Sequence, residues 1–298
     1  MRIVTRADFD SIVCAILLCD ALDITRGIKW VEPNEMQKRA VTVEDGDIIA
    51  NLPFHENCLM WFDHHISNRV DVPFQGLFRV APSAAGLIYE YYRDRFTRDF
   101  SELAAQADKI DAADLSMEEV LHPEQYPYIL LSMTIVSHDR SEEPYWNLLV
   151  DLLSHQPLDR VLENEQVKTH CRQTIEANNR YEQFLKDHTI IQEKVSITDF
   201  RTFDKAPSGN RFLVYSLYPS TVVNVKIRYD VHDKNRMLVS VGHSIFNRQC
   251  NVNVGELLSN FEGGGHRGAG ACSFSADKAD DYLPKIIDAL VKNEPNDQ

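Results

Sequence analysis

Short stretches that are apolar along their whole length alternate with helix-like segments through the first hundred residues, and few folds accept that pattern. "RIVT" (2–5) is β-rich, the polar turn "RADFDS" (6–11) follows, and "IVCAILLCDAL" (12–22) reads as an apolar helix. Strand candidates "IKWVEP", "DIIANL" and "CLMWF" come next, then a predicted helix "PSAAGLIYEYYRDRF" opened by Pro82 and Ser83. A strand covered on both faces has no polar side to alternate with, so this order points to an α/β fold built on a parallel sheet. Ligands of such sheets gather at the carboxyl ends of the strands. The residues just after each strand are therefore the first place to look for chemistry.

From Ser101 to about His188 the pattern is almost wholly helical. Leu158, Val161, Leu162, Cys171, Ile175 and Leu185 fall largely on one stripe, as in a connecting helix. Beyond it the texture changes. In "STVVNVKIRYD", Val223, Val225, Ile227 and Tyr229 face one way and Asn224, Lys226 and Arg228 the other. The turn "VHDKNR" and the run "MLVSVG" complete a predicted hairpin. A short helix "VGELLSNF", the cluster "GGGHRGAG", a strand "ACSFS" and a helix "DDYLPKIIDALV" follow. The expected organisation is an α/β domain over 1–157, a helical connector over 158–189 and a smaller α+β domain over 190–298. A chain of 298 residues is long enough for two cores.

Several classes are disfavoured. No apolar run approaches the roughly 20 residues of a membrane helix, and "MRIVTRADFD" lacks the apolar middle of a signal peptide, so a cytoplasmic protein without membrane contact is expected. The six cysteines form no CxxC pair and read as core residues of a reducing compartment. A net charge of -14 argues against broad binding to extended duplex DNA. An anionic substrate would need bound cations or a few local basic groups.

The stretch "WFDHHISN" (61–68) ends an apolar strand with Asp63, His64 and His65. Successive side chains of a strand point to opposite faces, so the histidines should have different tasks unless the chain turns there. One imidazole would bind a metal while its neighbour faces a substrate oxygen, with Asp63 orienting a ring or bridging ions. Alone, the pair also fits surface histidines with a capping aspartate. Asp8 and Asp10, between the first strand and first helix, change the balance, because they belong at the same carboxyl edge and can ligate one ion or bridge two. In "ADKIDAAD", Asp108 and Asp114 read as a solvated helix face, whereas Asp111, between Ile110 and Ala112, is expected to point inward. Gly263, Gly264 and Gly265 permit close backbone approach to a ligand, and His266 and Arg267 add donors suited to phosphate. A tight turn would explain the glycines but not the His-Arg pair.

In this order, "ADFDS", "FDHH" and "NVNVGELLSNFEGGGHRGAGACSF" resemble the DHH phosphoesterase superfamily, specifically its branch with a C-terminal DHHA1 domain, over nearly the whole chain. That resemblance implies hydrolysis of a phosphoester by two divalent ions, often manganese. The substrates of such proteins include very short RNAs, 3',5'-bisphosphonucleotides, cyclic dinucleotides and polyphosphate. Carried over residue by residue, it implies Asp8, Asp10, His64 and Asp111 as metal ligands and His65 as the substrate-side histidine. It also implies His266 and Arg267 as the phosphate pair. Two positions depart from the family pattern: Val4 stands where a metal-binding histidine is usual, and Asn51 where an aspartate bridges the ions. Arg6 and His55 are the nearby candidates to compensate.

The expectation is thus a metal-dependent phosphoesterase in which Asp10, Asp63 and His65 act in catalysis. Its cofactor would be Mn²⁺ first and Mg²⁺ second, and its substrate a small phosphorylated nucleotide or a short single-stranded oligonucleotide. A homodimer is allowed. The alternative is a binding protein of the same family, catalytically weakened by Val4 and Asn51.

Overall fold

The computed structural model describes residues 1–137 and 139–297, so Gln298, the last residue of the expected second domain, lies outside the described residues. The chain divides into two compact units, Met1–Leu115 with Glu124–Gln173 and Ser116–Pro123 with Thr174–Gln298.

The first unit is built on strands β1 (Arg2–Thr5), β2 (Ile28–Trp30), β3 (Asp47–Ala50), β4 (Met60–Asp63) and β5 (Gly76–Phe78). They form one parallel sheet in the order β2-β1-β3-β4-β5. Helices α1 (Phe9–Ala21), α2 (Pro33–Gln37), α3 (Ala84–Tyr91) and α4 (Ser101–Asp111) belong with it. Helix α5 (Met117–Leu121) groups with the second unit, while α6 (Pro127–Met133), α7 (Glu143–His155) and α8 (Leu158–Glu163) return to the first. The long helix α9 (Glu165–His188) begins in the first and ends in the second.

The apolar strands are explained by burial on both faces. Val4, Ile49 and Trp61 stand on one rung of neighbouring strands and pack with Val31, Met36 and Leu52. Their neighbours in sequence, Ile3, Ile48 and Phe62, are fully buried as well. Helix α1 is buried continuously from Phe9 to Leu18, as its nearly all-round apolar sequence requires. Because β1 pairs with β2 on one side and β3 on the other, the strand order reverses between β1 and β3. In open α/β sheets the crevice for ligands forms beyond the carboxyl ends at such a reversal. The residues delivered there are Arg6 to Asp10, Asn51, and Asp63 to His65.

The second unit holds a mixed sheet in the order β10-β11-β9-β8-β7-β6. Its strands are β6 (Thr189–Gln192), β7 (Val195–Asp199), β8 (Val223–Tyr229), β9 (Arg236–His243), β10 (Gly263–His266) and β11 (Ala269–Ser275). Its further helices are α10 (Leu213–Leu217), α11 (Val254–Ser259) and α12 (Ala279–Lys292). Val223, Val225 and Ile227 enter a core with Val239, Val241, Phe274 and Ile286. The opposite face of β8 is less solvated than its polarity suggests. Asn224 is buried there and donates through Nδ2 to Ser196 Oγ (3.1 Å) and Thr198 Oγ1 (3.0 Å).

The glycine cluster differs from a simple turn. Gly263 to His266 form the edge strand β10, paired antiparallel with Cys272 to Ala269, and the chain turns at Arg267 and Gly268. Contact explains the composition. A Cβ on Gly265 would meet Ala269 O at 2.3 Å, and one on Gly255 of α11 would meet Gly265 O at 2.4 Å, so helix and strands touch through bare backbone. Gly265 also has φ +153°, which disfavours a side chain.

Candidate active site

Three adjacent strands of the first unit present their carboxyl ends side by side. Asp8 is the N-cap of α1, its Oδ1 accepting from Ser11 N–H at 2.8 Å. Two residues later, Asp10 is buried in the first turn of α1. Its carboxylate reaches the N-terminus of α3, where Oδ2 accepts from Ala84 N–H (3.0 Å) and Oδ1 from Ala85 N–H (2.7 Å). Helix N-termini favour negative charge, so α3 is what makes a buried carboxylate tolerable here. Ser83 caps that helix: its Oγ accepts from Gly86 N–H and donates to Asp108 Oδ1 at 2.6 Å.

Strand β4 ends at Asp63, and a 3-10 turn (Ile66–Asn68) follows, so strand alternation stops before the two histidines. Their rings lie 4.1 Å apart between centroids rather than on opposite faces, because the chain turns. Their environments still separate their tasks. His64 is buried and donates from Nδ1 to Ala81 O at 3.0 Å, which in the neutral ring leaves a lone pair on Nε2. That Nε2 has no hydrogen-bond partner, and lies 3.3 Å from Asp111 Oδ2 and 3.8 Å from Asp10 Oδ2. His65 is 37% exposed, and its Nδ1 bonds Asp63 Oδ1 at 2.8 Å. The Asp63 carboxylate also accepts from His64 N–H (2.9 Å), His65 N–H (3.4 Å) and Asn68 Nδ2 (2.7 Å), so Asp63 shapes the loop and orients His65.

The structure therefore brings Asp10, His64 and Asp111 together, their donor atoms all within 4.8 Å of one another. Asp63, His64 and His65 form a second such group. Asp8 is placed differently. Its Oδ2 lies 2.8 Å from Arg6 Nε, in an ion pair whose geometry is not that of a hydrogen bond, and Asn51 Nδ2 lies 3.2 and 3.3 Å from its two oxygens. Val4 sits in the apolar cluster beneath the sheet, and His55 accepts from Asn57 N–H within its own turn.

Electrostatics mark the same trio. Burial, then the charges of Asp111 and Asp8, push the Asp10 carboxyl well above its ordinary 3.8. Burial and Asp8 likewise raise Asp111, against His64, His65 and Arg6. The hydrogen bond that the His65 ring donates to Asp63 raises its pKa. Two crowded carboxylates and a buried, unpartnered imidazole nitrogen fit a divalent cation, which would relieve the repulsion and occupy the lone pair.

A stability prediction follows. Raised acid pKa values stabilise the folded state below the unfolded value, and this contribution is lost as pH rises through the folded value. Without metal, the wild type should lose stability relative to Asp10→Asn as pH rises from about 4, and Mn²⁺ should restore the wild type only. Thermal melts followed by tryptophan fluorescence check this. All three tryptophans (Trp30, Trp61, Trp146) lie in the first unit.

Of the residues first read as a solvated face, Asp114 is exposed, but Asp108 is half-buried and held by Ser83. The helix-start reading of Ser83 did not reach that far, because its partner lies 25 residues on in another helix. Asn51 was visible in sequence as a departure and Arg6 as a candidate to compensate, but their joint approach to Asp8 was not.

In the second unit, the Arg267 guanidinium is paired with Asp297 and donates to Asn251 O at 3.2 Å. His266 ends β10 and is exposed. Gly263 packs against Ala271 and Cys272, whereas nothing lies within 4 Å of a Cβ built on Gly264. Gly264→Ala should therefore leave the melting temperature unchanged. If a phosphate approaches this backbone, the same substitution should raise KM several-fold, so paired melting and KM measurements separate structural from ligand-driven use of the glycine.

No protein-family model and no curated protein matches the chain. Among solved structures, it is similar to a pGpG-specific phosphodiesterase, PggH, from Vibrio cholerae, at 29% identity and a TM-score of 0.85, covering 98% of this chain and 99% of that one. An exopolyphosphatase-related protein from Bacteroides fragilis shares the fold at 13% identity and TM-score 0.58, over 98% and 93% of the two chains. RecJ from Thermus thermophilus in complex with Mn²⁺ shares it at 13% identity and TM-score 0.62, covering 99% of this chain and 52% of RecJ. Over nearly its whole length the chain is thus similar to DHH-domain proteins, and it carries its own DHH triplet at the carboxyl end of β4.

Proposed function

We propose that the protein is a divalent-metal-dependent phosphodiesterase whose substrate is a short linear dinucleotide of the pGpG kind. The observation that carries this reading is the trio Asp10, His64 and Asp111, with the buried His64 Nε2 left without a partner. The 29% identity with a pGpG-specific enzyme over almost the whole of both chains supports the substrate class. The negative net charge supports a small substrate rather than duplex DNA.

In this reading Asp10, His64 and Asp111 hold the ion. Two carboxylates with one imidazole suit Mn²⁺ better than Mg²⁺, which prefers all-oxygen surroundings. A divalent ion supplies Lewis acidity there, lowering the pKa of water and drawing charge from phosphoryl oxygens. The protein contributes the rest. Asp63 fixes the His65 ring through Nδ1 and favours its protonated form, so His65 Nε2 carries a proton suited to the leaving oxygen. In the second unit, His266 and Arg267 supply donors for a phosphate, Arg267 exchanging Asp297 for it. Among the described residues, no helix is long and apolar enough to cross a membrane, and we place the enzyme in the cytoplasm.

The reading is tested by incubating the purified protein with Mn²⁺ and, in turn, pGpG, a 3',5'-bisphosphonucleotide, a cyclic dinucleotide and polyphosphate. Turnover of pGpG to two mononucleotides in preference to the others is expected. Tight binding of one of them without turnover of any would favour the weakened binding protein instead.

A further inference from the structure

We infer that the Arg6 guanidinium, with the Asn51 amide, takes the place of one divalent ion, so that this active site holds a single ion per chain. The inference rests on the metal-dependent reading above and departs from the two-ion pattern that the family resemblance implies.

The carboxylates of the site are not equivalent. Asp8 is satisfied by the protein itself: Ser11 N–H and Asn51 Nδ2 bond Oδ1, and Arg6 Nε faces Oδ2 at 2.8 Å. Asn51 is held for this task. It sits at φ +56° directly after β3, its N–H donates to Phe62 O, and its Nδ2 also bonds Ser11 Oγ at 3.1 Å. Asparagine is among the few side chains that tolerate that backbone. Among the described residues, Asp10 and Asp111 have no lysine or arginine within ion-pairing distance, and face the His64 nitrogen instead.

Charge counting gives the same answer. Asp8, Asp10 and Asp111 carry three negative charges when ionised, and Arg6 offsets one of them. Asp63 is taken up within its own loop, by His65 Nδ1, His64 N–H and Asn68 Nδ2. Two negative charges remain, which one divalent cation neutralises. A second ion would leave the cluster with a surplus of positive charge beside Arg6, and among the described residues the Asp8 and Asp63 oxygens that could hold it already have partners. Position 4, where a further imidazole would be needed, is a valine packed with Ile49 and Trp61 on the apolar side of β1.

The role of Arg6 follows. Its side chain is 32% exposed, so the guanidinium is fixed at one end by Asp8 while remaining accessible. It offers a phosphate a permanent cation with planar donors, the service that an ion would otherwise give.

The test counts ions rather than turnover. Metal-stripped protein is titrated with Mn²⁺, and free Mn²⁺ is measured by electron paramagnetic resonance. The wild type should bind one equivalent with no spin-coupled signal. The variant Arg6→Ala with Asn51→Asp frees Asp8 and adds a carboxylate, and should bind two equivalents with the signal of a coupled pair. Two equivalents in the wild type would overturn the inference while leaving metal dependence intact. One equivalent in both proteins would overturn the part assigned to Arg6, and none in the wild type would remove the metal reading altogether. If the double variant does not fold, the wild-type count alone still decides the number of ions.

Discussion

Asp10→Asn is expected to lower kcat/KM for a pGpG-type diester by about 10³-fold, the several kcal/mol that an ion contributes to transition-state charge, at 1.36 kcal/mol per decade. The substitution is nearly isosteric, yet it removes the charge and one of two acceptors. Asp10 receives Ala84 and Ala85 N–H on different oxygens, and an amide keeps only one oxygen. The other N–H would face an NH₂ group at the start of α3. Mn²⁺ affinity should fall together with rate, because Asp10 is the most deeply buried of the three donors. Steady-state kinetics with a parallel Mn²⁺ titration checks both. A tenfold loss in rate with unchanged metal affinity would move Asp10 from ligand to supporting residue.

Trp61→Ala is expected to cost about 3–5 kcal/mol of stability in the first unit. Trp61 is fully buried, stacks on Phe78 with centroids 5.1 Å apart, and meets Phe54 and Phe74 edge-on at 5.3 and 4.9 Å. Its indole Nε1 donates to Leu52 O at 2.8 Å, tying β4 to the residue after Asn51. Removing the ring leaves both a cavity and a buried carbonyl without its donor. Trp61→Phe should keep most of the packing and lose about 1–2 kcal/mol through that carbonyl. Urea denaturation read by the fluorescence of Trp30 and Trp146, which both remain, measures these losses within the first unit.

Much of this was legible in the sequence because it is local. Apolar strands alternating with helices can be buried only as a covered parallel sheet, and the polar residues ending β1 and β4 then have one edge to share. Strict alternation in β8 likewise announced a sheet with a core face. What was hidden depends on partners distant in sequence. The two histidines follow the turn after Asp63 rather than the strand before it. Asp108 looked solvated because its Ser83 partner belongs to a different helix. Gly263 to Gly265 suggested a close approach to a ligand or a tight turn, since glycine signals permission rather than conformation. Only the contacts with β11 and α11 show why a strand needs them. Arg6 was visible as a candidate to compensate, but its pairing with Asp8 takes place beside Asn51, 43 residues on from Asp8.

The most direct test of the metal site is hydrolysis of pGpG by protein stripped of metal and then supplied stepwise with Mn²⁺, for the wild type and for His64→Ala. The account expects no turnover in chelator and full recovery with Mn²⁺ in the wild type. It expects little recovery in His64→Ala, which loses Nε2, a buried nitrogen without a hydrogen-bond partner. Equal turnover in chelator and in Mn²⁺, or a His64→Ala variant as active as the wild type, would contradict it.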